Sequence, residues 1–103
     1  MAYGMSGKVF HAPFVHLHDG FNFVAVTERS KKQAVQDYPG IVSYDTIDEL
    51  IADDNIDLII INTPNYTHYE YAKKCLLAGK HILVEKPFTA TVAQAKELFA
   101  LAK

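Results

Sequence analysis

The chain has 103 residues, half of them hydrophobic, and a formal net charge of −2 with acidic and basic residues interspersed. That is enough for one core and too little for two ordinary domains, and it gives no electrostatic footprint for nucleic acid or an anionic membrane surface. A single cysteine, Cys75, excludes an internal disulfide, and no apolar run nears the ~20 residues that span a bilayer. The opening Met1-Ala2-Tyr3-Gly4 lacks the layout of a secretory signal, so a reducing, cytoplasmic setting is expected, without membrane or nucleic-acid partners.

Taken in order, Ala2-Tyr3-Gly4-Met5-Ser6-Gly7 reads as a variant of the dinucleotide fingerprint, with Ala2 in the place of the first glycine. Gly4 would let the backbone approach a pyrophosphate, Gly7 would let the helix pack closely on the sheet, and the helix amino terminus would favour the phosphate charge. An ordinary glycine turn explains the same residues about equally well. A strand should precede this loop, and only Met1 does. Residues 6–18 have a helix-like pattern, interrupted at Pro13, which lacks an amide proton. His11, His16 and His18 lack the i,i+4 spacing of a helical metal pair and have no accompanying cysteine or carboxylate cluster, so no metal site is expected. Asp19-Gly20 makes a turn, and residues 23–27 make a strand of β-favouring residues.

Glu28 follows that strand, roughly 20 residues beyond Gly7, the spacing at which an acidic residue meets the adenosine ribose. A carboxylate there repels a 2′-phosphate and favours NAD, whereas Arg29 and Ser30 are the groups a 2′-phosphate would seek, so NAD and NADP both stay open. Four helix starts share one grammar: Ser30 with Gln33, Thr46 with Glu49, Thr67 with Glu70, and Thr91 with Gln94. Each is expected to form a reciprocal capping box. Between them lie strand candidates at residues 41–44, 56–62 and 81–85. The second of these is the most apolar run in the chain, and its lack of polar alternation predicts a central strand covered on both faces. Ala72, Cys75, Leu76 and Gly79 share one helix face, which makes Cys75 a core residue, and the last helix aligns Val92, Ala95, Leu98, Phe99 and Ala102.

Two strand ends concentrate polar chemistry on one edge of the sheet. Thr63-Pro64-Asn65 closes the central strand, where Pro64 stops the ladder and leaves its neighbours at a crevice. His68 begins the next helix; it either faces that crevice or, more simply, faces solvent. Glu85-Lys86-Pro87 closes the following strand, and a lysine fixed there could donate to a substrate hydroxyl or a developing alkoxide. A surface salt bridge beside a turn is the plainer reading of that tripeptide.

Together, the Gly4-Met5-Ser6-Gly7-Lys8-Val9-Phe10-His11-Ala12-Pro13 opening, Thr63-Pro64-Asn65 with His68, and Glu85-Lys86-Pro87-Phe88-Thr89 resemble the Gfo/Idh/MocA family of NAD(P)-dependent oxidoreductases. The nearer branch is similar to NADP-linked scyllo-inositol dehydrogenases. The resemblance implies hydride transfer between a nicotinamide cofactor and a hydroxyl of a sugar, inositol or related polyol. It also implies that Gly4 and Gly7, with Met5 and Ser6 between them, flank the pyrophosphate and that Glu28, Arg29 and Ser30 surround the adenosine ribose. Thr63, Pro64, Asn65 and His68 would line the cofactor crevice, and Glu85 and Lys86 would reach the nicotinamide and substrate, with Lys86 as the catalytic candidate.

Two departures qualify it. The family's first strand is missing here, as is the second domain that supplies the substrate pocket and a catalytic histidine. The expectation is therefore an α/β, Rossmann-like parallel sheet with flanking helices, a truncated dinucleotide-binding domain over residues 1–103, inactive in isolation. Polyol or sugar substrate would bind only in a full-length protein. In the usual strand order 3-2-1-4-5, the missing strand lies between residues 23–27 and the central strand. The alternative is a non-catalytic binding or assembly module that pairs this incomplete sheet with another chain, a homo-oligomer being one form of it. Closing up of the two strands is another way to fill the gap.

Overall fold

The computed structural model describes residues 2–30 and 32–103. The chain alternates helices and strands. A π-helical turn at Gly7–His11 leads into α1 (Ala12–Leu17), followed by β1 (Ala25–Thr27), α2 (Ala34–Asp37), β2 (Val42–Tyr44) and α3 (Ile47–Ile51). Then come β3 (Leu58–Ile61), a 3-10 turn at Asn65–Thr67, α4 (His68–Leu77), β4 (His81–Val84) and α5 (Val92–Ala102). All strand pairing is parallel, as the crossover helices require. The expected interruption near Pro13 takes the form of the π-helical turn, which ends just before the proline and absorbs its missing amide donor.

The sheet is in two halves. β1 pairs with β2, Ala25 opposite Val42, and β3 pairs with β4, Leu58 opposite His81 through Ile61 opposite Val84. β1 and β3 do not close upon each other, so that expectation fails. The reason is visible at their carboxyl ends, where Ala2 stands between them and forms a single parallel bridge to Thr27. Each half has its own core: Leu50, Ile56, Ile59, Ile61, Ala72, Cys75 and Leu98 under β3 and β4, and Tyr3, Ala12, Val26 and Ala34 around β1.

The run at β3 is fully covered on one face and only partly on the other. Ile59 and Ile61 are buried, whereas Ile60 is half-buried against the core around β1 and Leu58 is 37% exposed, because no strand pairs with that edge of β3. Cys75 is fully buried in α4, and burial pushes its thiol up to about 11, which makes it inert packing as expected. In α5 only Leu98 of the expected stripe is buried; Val92 and Phe99 are largely exposed, Phe99 meeting Phe88 edge-on.

One of the four expected capping boxes forms in full, Thr46 and Glu49 capping α3 reciprocally, and a second forms by half: Thr91 accepts from the Gln94 amide, while the Gln94 side chain reaches the amide of Ala90 instead of that of Thr91. Thr67 does not cap α4, because the 3-10 turn before it already places it in helical conformation and its hydroxyl donates to Pro64 O. Ser30 does not cap α2; Glu28 takes that role.

Gly7 is obligatory for packing. A Cβ there would lie 2.0 Å from the carbonyl oxygen of Ala2, a backbone atom that cannot swing away. Gly7→Ala is expected to destabilise the fold by about 3 kcal/mol, the upper range for overpacking. Gly4, which has nothing within 4 Å of its notional Cβ, should tolerate alanine within about 0.5 kcal/mol. Urea midpoints of the two variants read the contrast directly.

Candidate functional site

The carboxyl ends of β1, β3 and β4 and the amino end of the first helix meet on one edge. Asn62, the residue after β3, makes the first tie. Its side-chain oxygen accepts from the Ala2 amide at 2.9 Å, and its side-chain nitrogen donates to the Ala2 carbonyl at 3.0 Å. On the other side, Tyr3 N donates to Thr27 O at 3.3 Å, which fixes the glycine turn against the end of β1. Residues 4–7 therefore start their helix directly over the strand ends, with the Lys8 amide returning to Gly4 O. Gly4 and Met5 are exposed, Ser6 half-buried, and the open space beside Gly4 is what a phosphate group would need.

A second tie crosses to β4. His11 Nε2 lies 2.6 Å from Glu85 Oε1, and the other carboxylate oxygen accepts from the Lys86 amide at 3.2 Å. The Lys86 amide and then His11 hold the Glu85 carboxyl below the usual carboxylate range. Glu85 thus orients the backbone of Lys86 rather than its ammonium, which is exposed and has no hydrogen-bond or ion-pair partner among the described residues. His11, which the sequence reading leaves without a role, is joined to this edge. Only the acidic residue 74 positions away could have revealed it, and a single sequence does not show that pairing.

The third tie is His68, which is 1% exposed rather than facing solvent. Nδ1 lies 2.7 Å from Pro87 O and Nε2 lies 2.9 Å from Thr63 O. Both partners are acceptors, so either neutral tautomer donates to one of them, and only a ring carrying both protons donates to both. The turns after β3 and β4 are thereby locked together from beneath. Above them, Thr67 Oγ1 donates to Pro64 O, so the 2.6 Å contact with Thr63 Oγ1 has Thr63 as donor. The Thr63 oxygen keeps its lone pairs for a ligand, and Pro64 and Asn65 are exposed beside it.

Glu28 does not stand where the sequence spacing suggests. It is 8% exposed, its Oε1 accepts from the amides of Gln33 and Ala34 at 3.0 and 3.1 Å, and its Oε2 accepts from Ser43 Oγ at 2.7 Å. Its carboxylate caps α2, where the helix amino terminus favours negative charge. Arg29 and Ser30, both exposed, are left at the strand end. The structure thus brings together residues 4–7, 63–65, 85 and 86 with His68 beneath, places Arg29 and Ser30 at the end of β1, and turns Glu28 inward. Among the described residues no cluster of three metal-ligating side chains occurs, and no helix is long and apolar enough to cross a membrane.

A glycine turn opening a helix over the carboxyl ends of parallel strands defines a dinucleotide-binding α/β domain. Residues 2–103 match the model of the oxidoreductase family with an NAD-binding Rossmann fold, Gfo/Idh/MocA, and the chain belongs to that family. It superposes on a crystal structure from Bacteroides fragilis with a TM-score of 0.95 and 50% identity, covering 98% of this chain and 31% of that one. It is 34% identical to the NADP-linked scyllo-inositol 2-dehydrogenase of Bacillus subtilis, over 95% of this chain and 27% of that protein. A 3-ketoreductase of Actinomadura kijaniata, solved with NADP, matches with a TM-score of 0.92 and 26% identity, over 98% of this chain and 32% of that one. The chain spans only 28% to 30% of the first curated relatives it matches. It is an NAD(P)-binding Rossmann domain of an oxidoreductase family.

His68→Ala would remove the imidazole from between the Thr63 and Pro87 carbonyls, leaving a buried void and taking the donor from whichever carbonyl the ring N–H serves. A loss of roughly 3 kcal/mol is expected, measured by urea unfolding, with His68→Gln recovering part of it through its two amide protons.

Proposed function

We propose that this chain is the cofactor-binding part of an oxidoreductase that moves hydride between NADP and a hydroxyl of a sugar, inositol or related polyol, and that the isolated chain does not turn over. The observation that supports it best is the convergence of the residue 4–7 turn, the Thr63 hydroxyl and the Glu85-Lys86 turn on one strand edge. The dinucleotide, when bound, supplies the hydride acceptor or donor. Residues 4–7 offer helix amides to its phosphates, and Thr63 and Asn65 border the path toward the nicotinamide. Lys86 can hold a proton at its ammonium nitrogen against a substrate oxygen, its backbone placed by Glu85 and, through that carboxylate, by His11.

The inward turn of Glu28 supports NADP over NAD. A carboxylate already satisfied by two amides and a hydroxyl neither binds ribose hydroxyls nor presents its charge to a 2′-phosphate. Arg29 and Ser30 then face the adenosine end, and guanidinium pairs strongly with phosphate. The two NADP-associated relatives point the same way.

Fluorescence titration should show NADPH binding at least about tenfold tighter than NADH, with Arg29→Ala removing most of that difference, since a charge-assisted hydrogen bond contributes about 1.5–3 kcal/mol. Equal affinities for the two would refute the assignment. Gly4→Ala should weaken both cofactors while leaving the unfolding midpoint in place.

Assayed with NADP and a panel of inositols and aldoses, the isolated chain should show no turnover above background. Among the described residues the only histidines at the candidate site are the buried His68 and the Glu85-bound His11, which supports this reading. Rates in the ordinary range for enzymes, about 1–1000 per second, would overturn the inactivity.

A further inference from the structure

The first helix is not regular where it passes the site. The Lys8 amide donates to Gly4 O four residues back, whereas the Ala12 amide reaches Gly7 O five residues back, and Pro13 has no amide to donate. The wide turn over Gly7–His11 therefore holds one residue more than an α-helical ladder, which shifts the side chains after it by about 100° around the axis. His11 takes up the irregularity, with φ −116° and ψ −56°. Ala12 stays fully buried against the core around β1, while the His11 ring, its side chain 14% exposed, reaches Glu85. Lys8, Val9 and Phe10 of the same turn are all exposed. Wide turns inside helices are frequent at functional sites.

The contact made there has a definite polarity. The Lys86 amide and His11 hold the Glu85 carboxyl below the usual carboxylate range, so at neutral pH it only accepts, and the ring donates through Nε2 at 2.6 Å. The second carboxylate oxygen accepts from the Lys86 amide at 3.2 Å. On the far side of Lys86, Pro87 O lies 2.7 Å from His68 Nδ1. The chain around Lys86 is thus tied on both sides to imidazoles that come from different elements. His68 opens α4 and relates the lysine turn to the turn after β3; His11 lies on the first helix and relates it to the glycine turn. We propose that His11 is a positioning residue for the nicotinamide end of the site: through Glu85 it registers the Lys86 turn against the glycine turn, and so orders the nicotinamide of a dinucleotide whose phosphates rest on the same helix. This inference rests on the cofactor reading and adds to it a residue that acts without touching the cofactor.

The probes are NADPH and 2′-phospho-ADP-ribose, the same molecule without its nicotinamide, titrated against the purified chain. His11→Ala should weaken NADPH about tenfold and 2′-phospho-ADP-ribose by less than about twofold, the larger loss being that of one hydrogen bond to a charged group. The fluorescence enhancement of bound NADPH, which reports an ordered nicotinamide, should fall with it. His11→Gln, whose side-chain amide can donate to the carboxylate, should recover most of the affinity and of the fluorescence. Glu85→Ala, which leaves the helix untouched, should weaken NADPH to the same extent, and the double variant no further, because the two residues act as one link. Equal weakening of both ligands, with the fluorescence of bound NADPH unchanged, would make His11 a support of the helix alone; that overturns the inference and leaves the cofactor reading in place. Additive losses in the double variant would do the same. A wild-type chain that binds neither ligand refutes the cofactor reading, and the inference falls with it.

Discussion

The two-way hydrogen bond between the Asn62 side chain and the main chain of Ala2 is the interaction on which the site edge depends. An amide side chain has a donor and an acceptor side by side, so it can stand in for one rung of a strand. Where the backbone ladder between β1 and β3 is broken, this side chain places Ala2 at the right level. The consequences propagate. Ala2 O is the atom against which Gly7 packs, Gly7 sets how close the first helix lies to the strand ends, and that helix brings His11 to Glu85. Without the clamp, the glycine turn and the lysine turn would be joined across the two half-sheets by the His11–Glu85 contact as their one described polar link.

Glu28 and His68 show how buried polar groups are used here. Each is nearly inaccessible, and each has a partner for every polar atom, in keeping with the absence of unsatisfied buried side-chain atoms among the described residues. Glu28 ties the end of β1 to the start of α2 and to β2 through Ser43. His68 ties the turn after β3 to the turn after β4. Both determine where exposed or half-buried neighbours stand: Arg29 and Ser30 in one case, Thr63 and Lys86 in the other.

Local chemistry was legible in the sequence; partners distant in the chain were not. The alternation of strands and helices, the carboxyl-edge turns at residues 63–65 and 85–87 and the buried Cys75 follow from periodicity and punctuation, while the gap between β1 and β3 follows from the family resemblance and its strand order. The capping grammar held where the helix starts from extended backbone, at Thr46 and Thr91, and failed where another group supplied the cap. For α2 that group is Glu28, and the spacing that suggested a ribose contact says nothing about which way the carboxylate turns. His11 and Asn62 went unassigned because their partners, Glu85 and Ala2, lie 74 and 60 positions away. The expected two-faced burial of β3 failed because it assumed a neighbouring strand.

That last point separates the two parts of the molecule physically. The edge is closed by directional, polar contacts that need only a few well-placed atoms: Asn62 on Ala2, His11 on Glu85, His68 on two carbonyls. The interior needs continuous apolar cover, which a few contacts cannot supply, and between the half-sheets it is open at Leu58 and Ile60. A site can therefore be geometrically assembled on a sheet whose core is not. The stability of the fold and the shape of that edge respond to different substitutions for that reason: an exposed edge residue such as Lys86 contributes little to the core, whereas a buried residue such as Ile59 contributes to the core alone.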